Sequence, residues 1–437
     1  MIAPVHTMAR RPIAAAKPKA AVRQDKTTIW GKALVLCALT LAASAFADIR
    51  PRAFGFLIHP VSLGGGILFL VGLFSLRRVP GHILLALFLF LVAFGVSCFA
   101  GPAGGMSFFS KVAASAILIL ACAMYVRTEA DFRWAALAMS IAIAIISLRG
   151  VSMLEASGSR GVNPLGGIAN RNAFSLYALP SLLLAGLAAM RSQTPNWMRL
   201  TFIVTSLLTI FTVFSTGNRS GWGGVVLIAA MVALPAIRRR GALLSLIALT
   251  GTAVVLFLEY GNMEIIEARV KETKANSPEV RLRFLASAIE VGLDKPLLGS
   301  SPQGLPHAMA RLSSVVGADY DSHNVSALIF GGTGMLGLFT ILALSWVLWT
   351  RPRQRATPQN LDVREAHYML RAAMILWFLR GQFTAEVLYS PSLSLALGIC
   401  IGACVTYGVW TKPPPAPRKQ VMRTLRPTPL APSASPQ

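Results

Sequence analysis

Long apolar runs recur from about residue 30 to about residue 410, and this repetition leaves few folds open to the chain. A helix needs about 20 mostly apolar residues to cross the hydrocarbon core of a bilayer. Runs of that kind follow one another here, separated by short basic or Gly/Pro-containing breaks. They lack the apolar–polar alternation of strands. Lipid also admits only helices and closed barrels, because every backbone polar group must find its partner inside the protein. The expected fold is therefore all-α and polytopic, with about twelve spans. They are read at residues 30–47, 53–76, 82–99, 108–126, 134–148, 172–190, 200–215, 221–237, 242–258, 325–348, 368–384 and 388–410.

Charge orients them. Only 13% of residues are charged, against 54% hydrophobic, yet the net charge is +24. With the N-terminus in the cytoplasm, the cytoplasmic loops collect Arg77 and Arg78, Arg127 and Arg133, Arg191 and Arg199, Arg238 to Arg240, and Arg351, Arg353, Arg355 and Arg364. The tail adds Lys412, Arg418, Lys419, Arg423 and Arg426. The opposite orientation would translocate nearly all of them, so both termini are expected inside. The same distribution accounts for the basic balance without nucleic acid, since no basic stretch is interleaved with aromatics or carried on a soluble module.

The chain then divides into a basic cytoplasmic tail (1–29), nine spans (30–258), a large external loop (259–322), three further spans (323–411) and a Pro-rich, disordered basic tail (412–437). The basic stretch before the first span reads as the flank of an uncleaved anchor. Cys37, Cys98, Cys122, Cys400 and Cys404 all fall in apolar runs and read as small buried hydrophobes. The external loop has no cysteine, so no disulfide framework is expected there.

Four outward patches carry polar chemistry. The first runs from Asn163 through Gly166 and Gly167 to Asn170 and Asn172, where the sixth span starts; it suits a polar ligand, or simply a turn with a capping Asn172. The second is Ser215-Thr216-Gly217-Asn218-Arg219-Ser220-Gly221, a tight hairpin. Its arginine can grip phosphate oxygens with a planar fork beside a helix N-terminus, or anchor in lipid headgroups. The third is an amphipathic stretch carrying Arg281 and Arg283, then Pro296-Leu297-Leu298-Gly299. It is expected to lie at the membrane surface, its arginines snorkelling or contacting phosphate. The fourth is His323-Asn324, nine residues, then Gly334 and Gly337. A histidine there can exchange protons near neutral pH or merely cap a span, Asn324 can orient a hydroxyl, and the glycines let another helix approach closely.

Together, Arg219, Arg281 and the His323-Asn324…Gly334-x-x-Gly337 run resemble the O-antigen ligase/polymerase superfamily, over roughly residues 163–348. Three positions depart from the pattern. Gly217-Asn218-Arg219-Ser220-Gly221 stands where Ser-Arg is commoner, Leu285 where Trp is frequent, and Gly299-Ser300-Ser301 where Gly-x-Gly is usual; the subfamily stays open. The resemblance implies a glycosyltransferase of the bacterial inner membrane in cell-surface polysaccharide biosynthesis. Its donor would be a glycan on a polyprenyl diphosphate, such as undecaprenyl diphosphate, and its acceptor a lipid- or glycan-linked hydroxyl at the periplasmic face. Arg219, Arg281 and His323 would be catalytic, and Asn170, Asn172, Arg283, Asn324, Gly334 and Gly337 would bind substrate. No cofactor or metal is expected: outward carboxylates do not cluster, and His307 and His323 lack a third ligand. Polymerase and protein O-oligosaccharyltransferase activities share these motifs. A flippase or transporter would instead use ionisable residues within the spans, of which His59, Lys111 and Arg380 are the candidates.

Reporter fusions near Asn276 are expected to report an external location, and fusions just after Arg240 a cytoplasmic one. The reverse pattern would invert the topology.

Overall fold

The computed structural model describes residues 26–45, 52–53, 56–57, 60–101, 105–154, 162–165, 173–191, 193–236, 251, 278–312, 324–350 and 361–410. Within them the architecture is a helical bundle. Its helices are α1 (Ile29–Leu39), α2 (Pro60–Gly72), α3 (Gly81–Ala100), α4 (Gly105–Tyr125), α5 (Glu129–Ser152), α6 (Phe174–Ala189) and α7 (Asn196–Ser215). They continue with α8 (Arg219–Ala236), α9 (Pro278–Asp294), α10 (Leu305–Leu312), α11 (Val325–Trp349), α12 (Leu361–Gly381) and α13 (Pro391–Thr406). Six helical stretches among the described residues are long and apolar enough to cross a membrane: Pro60–Arg78, Gly81–Ala100, Gly105–Tyr125, Glu129–Ser152, Asn196–Ser215 and Val325–Trp349. The ninth expected span, apart from residue 251, and residues 259–277 and 313–322 of the expected external loop lie outside the described residues.

Several boundaries differ from expectation. Hydropathy starts the second span at residue 53, but residues 52–57 hold a two-residue antiparallel pair, Arg52–Ala53 with Phe56–Leu57, and the helix starts at Pro60. Proline suits a first helical position, because its missing N–H would have had no partner there. The twelfth expected span is broken, with a 3₁₀ turn at Ala385–Tyr389 and then α13 opening on Pro391. The side chain of Ser390 accepts a hydrogen bond from Leu393 N and caps that start.

α5 is buried along most of its length, as are the short helices α6 and α13. Sixteen residues rise only about 24 Å, less than the roughly 30 Å hydrocarbon thickness. Inside a bundle such a helix is packed by protein and need not reach both interfaces. α13 meets α4 through Gly398 and Gly402, four residues apart. A Cβ on Gly398 would lie 2.6 Å from Ile119 O, and one on Gly402 2.8 Å from Val126 Cβ. Small residues at this spacing let two backbones approach where lipid offers no hydrophobic drive for association.

One end of the bundle is tied together by ions. The Arg191 guanidinium donates to both carboxylate oxygens of Glu129, at 2.7 and 2.8 Å, and to Glu365 at 3.1 Å. Tyr407 closes the cluster, its hydroxyl donating to Glu129 and its ring lying 5.3 Å from the guanidinium carbon. Burial disfavours the Arg191 charge, but Glu129, Tyr407 and Glu365 outweigh it and hold the pKa above its ordinary value. Beside it, Thr128 and Asp131 form a capping box that starts α5. Asp131 also accepts from Thr28 N at 2.8 Å, while Arg127 stacks over Trp30 at 4.6 Å. The first described helix therefore starts at this Arg191 end. The last described turn reaches it too, where Trp410 packs edge-on against His82.

Both side chains of the Arg191–Glu129 pair are more than nine-tenths buried, at 7% and 6% exposure. Glu129→Ala would leave a buried guanidinium short of its main counter-charge, so a loss of about 3–5 kcal/mol is expected. Thermal unfolding of the purified protein in detergent would measure it; an unchanged transition would mean the cluster is dispensable.

Candidate active site

The opposite end of the bundle gathers the patches read from the sequence. At the second patch, Gly217 takes φ +67°, a left-handed conformation suited to glycine, and turns the chain from α7 into α8. Asn218 is buried and caps the new helix. Its Oδ1 accepts from Ser220 N at 3.2 Å and from Ser220 Oγ at 2.8 Å, while its Nδ2 donates to Ser175 Oγ at 2.9 Å. Arg219 is exposed and is itself the first residue of α8, rather than preceding the helix as the sequence suggests.

The described part of the first patch lies alongside. Val162 N donates to Ser215 O at 3.0 Å, and Leu165 is buried. Asn170 and Asn172 fall outside the described residues. Ser175, in the first turn of α6, already belongs to the Asn218 cluster.

The residue that joins these pieces is Arg380, near the end of α12. Only 4% exposed, it donates from Nη1 to Ser220 Oγ at 2.7 Å and from Nη2 to Ser175 Oγ at 2.6 Å. Its Nε has no hydrogen-bond partner among the described residues. Two residues on, Gln382 accepts from Asn324 Nδ2 at 2.9 Å. Asn324 also caps α11, its Oδ1 accepting from Ala327 N at 3.0 Å. Its Oδ1 thus caps α11 while its Nδ2 ties α11 to the end of α12. His323 lies just outside the described residues, so this geometry fixes its neighbour and the helix it leads into.

The third patch is held by glycine contacts. α9 turns Phe284, Ala288 and Val291, one helical face, onto α11 rather than onto lipid. A second stripe, Leu282, Ile289 and Leu293, stays exposed, as a helix at an interface requires. Arg283 is exposed; of Arg281 only the backbone, in the first turns of α9, is described. The stretch after α9 then docks on α11 backbone to backbone. Ser300 N donates to Gly331 O at 2.9 Å and Met335 N to Pro296 O at 2.7 Å. Ser97 Oγ of α3 sits at the junction, 2.7 Å from Leu298 O and 2.6 Å from Gly332 O, and donates its one proton between them.

Gly334 is what makes that docking possible. It breaks the helical path of α11 at φ 64°, and a Cβ there would lie 2.5 Å from the carbonyl carbon and oxygen of Leu297. The sequence assigns the spaced glycines to close approach by another helix and to substrate. What approaches Gly334 is loop backbone, and a Cβ on Gly337 would strike Thr333 of α11 itself.

Lys111 and Arg380, two candidates for a transport path, both lie at this end, Lys111 over the Tyr389 ring at 5.5 Å. His59 lies outside the described residues. In the sequence Arg380 stands as an isolated charge, and nothing beside Gln382 or Ser175 marks them. The signal for Arg380 is a cation in the last turn of an apolar helix, which is costly in lipid unless something uses it.

A bundle of apolar helices, six of them long and apolar enough to cross a membrane among the described residues, defines a multi-pass membrane protein whose hydroxyls, amides and arginines converge at one end. The O-antigen ligase family model matches residues 204–342, which supports assignment of the chain to the O-antigen ligase/polymerase superfamily. The matched segment contains Arg219, Arg281, Arg283, His323, Asn324, Gly334 and Gly337, but not Arg380 or Gln382. No curated protein matches the chain.

Gly334→Ala is expected to undock the segment after α9, because the new methyl meets backbone that cannot rotate away and the φ is strained besides. Hydrogen exchange at Ser300 and Met335, whose amides bond across the junction, should rise by at least about tenfold. Unchanged protection would mean the junction does not depend on this glycine.

Proposed function

We propose that the protein is a metal-independent glycosyltransferase of the O-antigen ligase or polymerase type, moving a glycan from a polyprenyl diphosphate to an acceptor hydroxyl on a lipid or glycan at the external face of the bacterial inner membrane. The observation that carries this reading is the convergence, at one end of the bundle, of the Arg219 turn, the buried Arg380 and the Asn324 start of α11. In this reading the Arg380 end is external and the Arg191 end cytoplasmic.

The chemistry follows from charge. As the acceptor oxygen bonds to the anomeric carbon, the bond from that carbon to the phosphate oxygen breaks and its electron pair leaves with the diphosphate. Negative charge grows on the leaving group, and preorganised cations stabilise that growth. Arg219 and Arg281 would receive it, each with a two-pronged donor suited to phosphate oxygens. His323 would take the acceptor proton, giving an inverting displacement. The buried Arg380 acts from behind, holding Ser220 and Ser175 so that Arg219 leaves its helix start in a defined direction. Transport would need ionisable groups strung through the membrane depth, whereas Lys111 and Arg380 share one end.

Arg219→Lys and Arg281→Lys should each slow transfer by about a hundredfold, the equivalent of roughly 3 kcal/mol, because lysine keeps the charge and loses the fork. His323→Ala should abolish transfer while donor binding persists, and Arg283→Ala should have a smaller effect. Transfer from a defined lipid-linked glycan by each purified variant is the measurement. Near-normal rates for His323→Ala and Arg219→Ala would remove the chemical basis of the proposal.

A further inference from the structure

The Arg191 end of the bundle carries a second cationic feature, separate from the Arg191 ion cluster. α2 runs on into a 3₁₀ turn, Leu73–Arg78, that ends on Arg77 and Arg78, both exposed. In a 3₁₀ helix, side chains three apart eclipse one another. Ser75 and Arg78 therefore share one edge of the turn, and Phe74 and Arg77 the next. Arg127, in the connection between α4 and α5, reaches the first of these edges, its Nη2 donating to Ser75 Oγ at 2.9 Å. The Trp30 ring, 4.6 Å from the guanidinium carbon, holds the group from a second side. Its Nε is buried without a hydrogen-bond partner among the described residues.

Like charges are thus held together while the neighbouring carboxylate is spent elsewhere. Burial first, and then Arg78, hold the pKa of the Arg127 guanidinium below its ordinary value, with Tyr125 and Asp131 acting the other way. Asp131 gives its oxygens to other donors: Thr28 N and Oγ1, Arg127 N and Thr128 N, at 2.8–3.1 Å. Among the described residues no ion pair joins Arg77, Arg78 or Arg127 to a carboxylate. Two guanidiniums brought together in this way favour an anion between them. A phosphate suits the place: its oxygens can meet the free Nε donor and the fork of Arg78, and the Ser75 hydroxyl, having accepted from Arg127, still has a proton to donate.

The adjoining surface selects among phosphates. Leu70, Val71 and Phe74 stand just before the arginines and are 65%, 59% and 93% exposed. They belong to Pro60–Arg78, the least buried of the six stretches long and apolar enough to cross a membrane. A soluble phosphate would use the arginines and leave this apolar surface idle. A lipid with a net negative head would use both, since its phosphate and its acyl chains are joined as these two surfaces are.

We propose that Ser75, Arg78 and Arg127 hold the phosphate of an anionic phospholipid in the leaflet at the Arg191 end, with an acyl chain of that lipid lying along Leu70, Val71 and Phe74. The site stands at the opposite end of the bundle from Arg219 and Arg380 and needs no transfer reaction. Native mass spectrometry of the full chain, titrated with phosphatidylglycerol or with phosphatidylcholine of the same acyl chains, reads the binding of single lipids. One phosphatidylglycerol should bind at least about tenfold more tightly than phosphatidylcholine, and Arg78→Gln and Arg127→Gln should each weaken it about fivefold, the attraction of one arginine at an anionic surface. Arg78 is exposed, so its variant tests the site even if Arg127→Gln does not fold. Arg364→Gln removes an exposed charge from the start of α12 at the same end and should leave the affinity nearly unchanged. Neither inorganic phosphate nor glycerophosphoglycerol, which lacks the acyl chains, should displace the lipid. Equal affinity for the two phospholipids, equal losses in all three variants, or displacement by either soluble phosphate would overturn the proposal.

Discussion

Arg380 is only 4% exposed, so protein supplies its hydrogen bonds for the most part, and two come from the starts of two other helices. Ser175 opens α6 and Ser220 opens α8, and the guanidinium bonds both hydroxyls. Asn218 joins the same pair from within the α7–α8 turn. A buried guanidinium left short of partners costs several kcal/mol, so this network sets the relative positions of α6, α8 and α12 more firmly than apolar packing against lipid-like neighbours would. The exposed Arg219 inherits its place from that arrangement.

The two ends of the bundle handle positive charge differently. At the Arg191 end the guanidinium is matched by the carboxylates of Glu129 and Glu365, and the result is a latch. At the Arg380 end the bonded partners are neutral hydroxyls, with Glu386 the carboxylate whose charge reaches the guanidinium. Hydroxyls orient a cation without cancelling its charge, which leaves positive potential for an anion. Both arginines are structural, one matched by carboxylates and the other held by hydroxyls.

The segment after α9 is attached to α11 mainly through backbone groups. Its junction with α11 consists of amide–carbonyl bonds over glycines, with Ser97 bridging both strands of the contact. Such a joint is rigid, because its groups have no rotamers to sample. It sets α9 and the residues around Arg281 in a fixed relation to α11, whose start carries Asn324. Gly334 thus sets the junction through the backbone conformation it adopts.

Hydropathy alone determined the helical membrane class and the position of most of the described helices, since an apolar run is written in consecutive residues. The amphipathic pattern of α9 was legible in the same way, though the partner for its buried face was not. Tertiary structure alone decided that Arg380 joins the patches, that Gln382 ties α12 to Asn324, and that Gly334 receives a loop instead of a helix. Ser175 and Arg380 are separated by 205 positions. A hydrogen bond across such a distance leaves no periodicity in the chain, and the apolar runs between are equally compatible with many helix arrangements. Lipid gives every one of those runs the same environment, so the arrangement is chosen by the few polar contacts and glycine approaches that only one packing can satisfy.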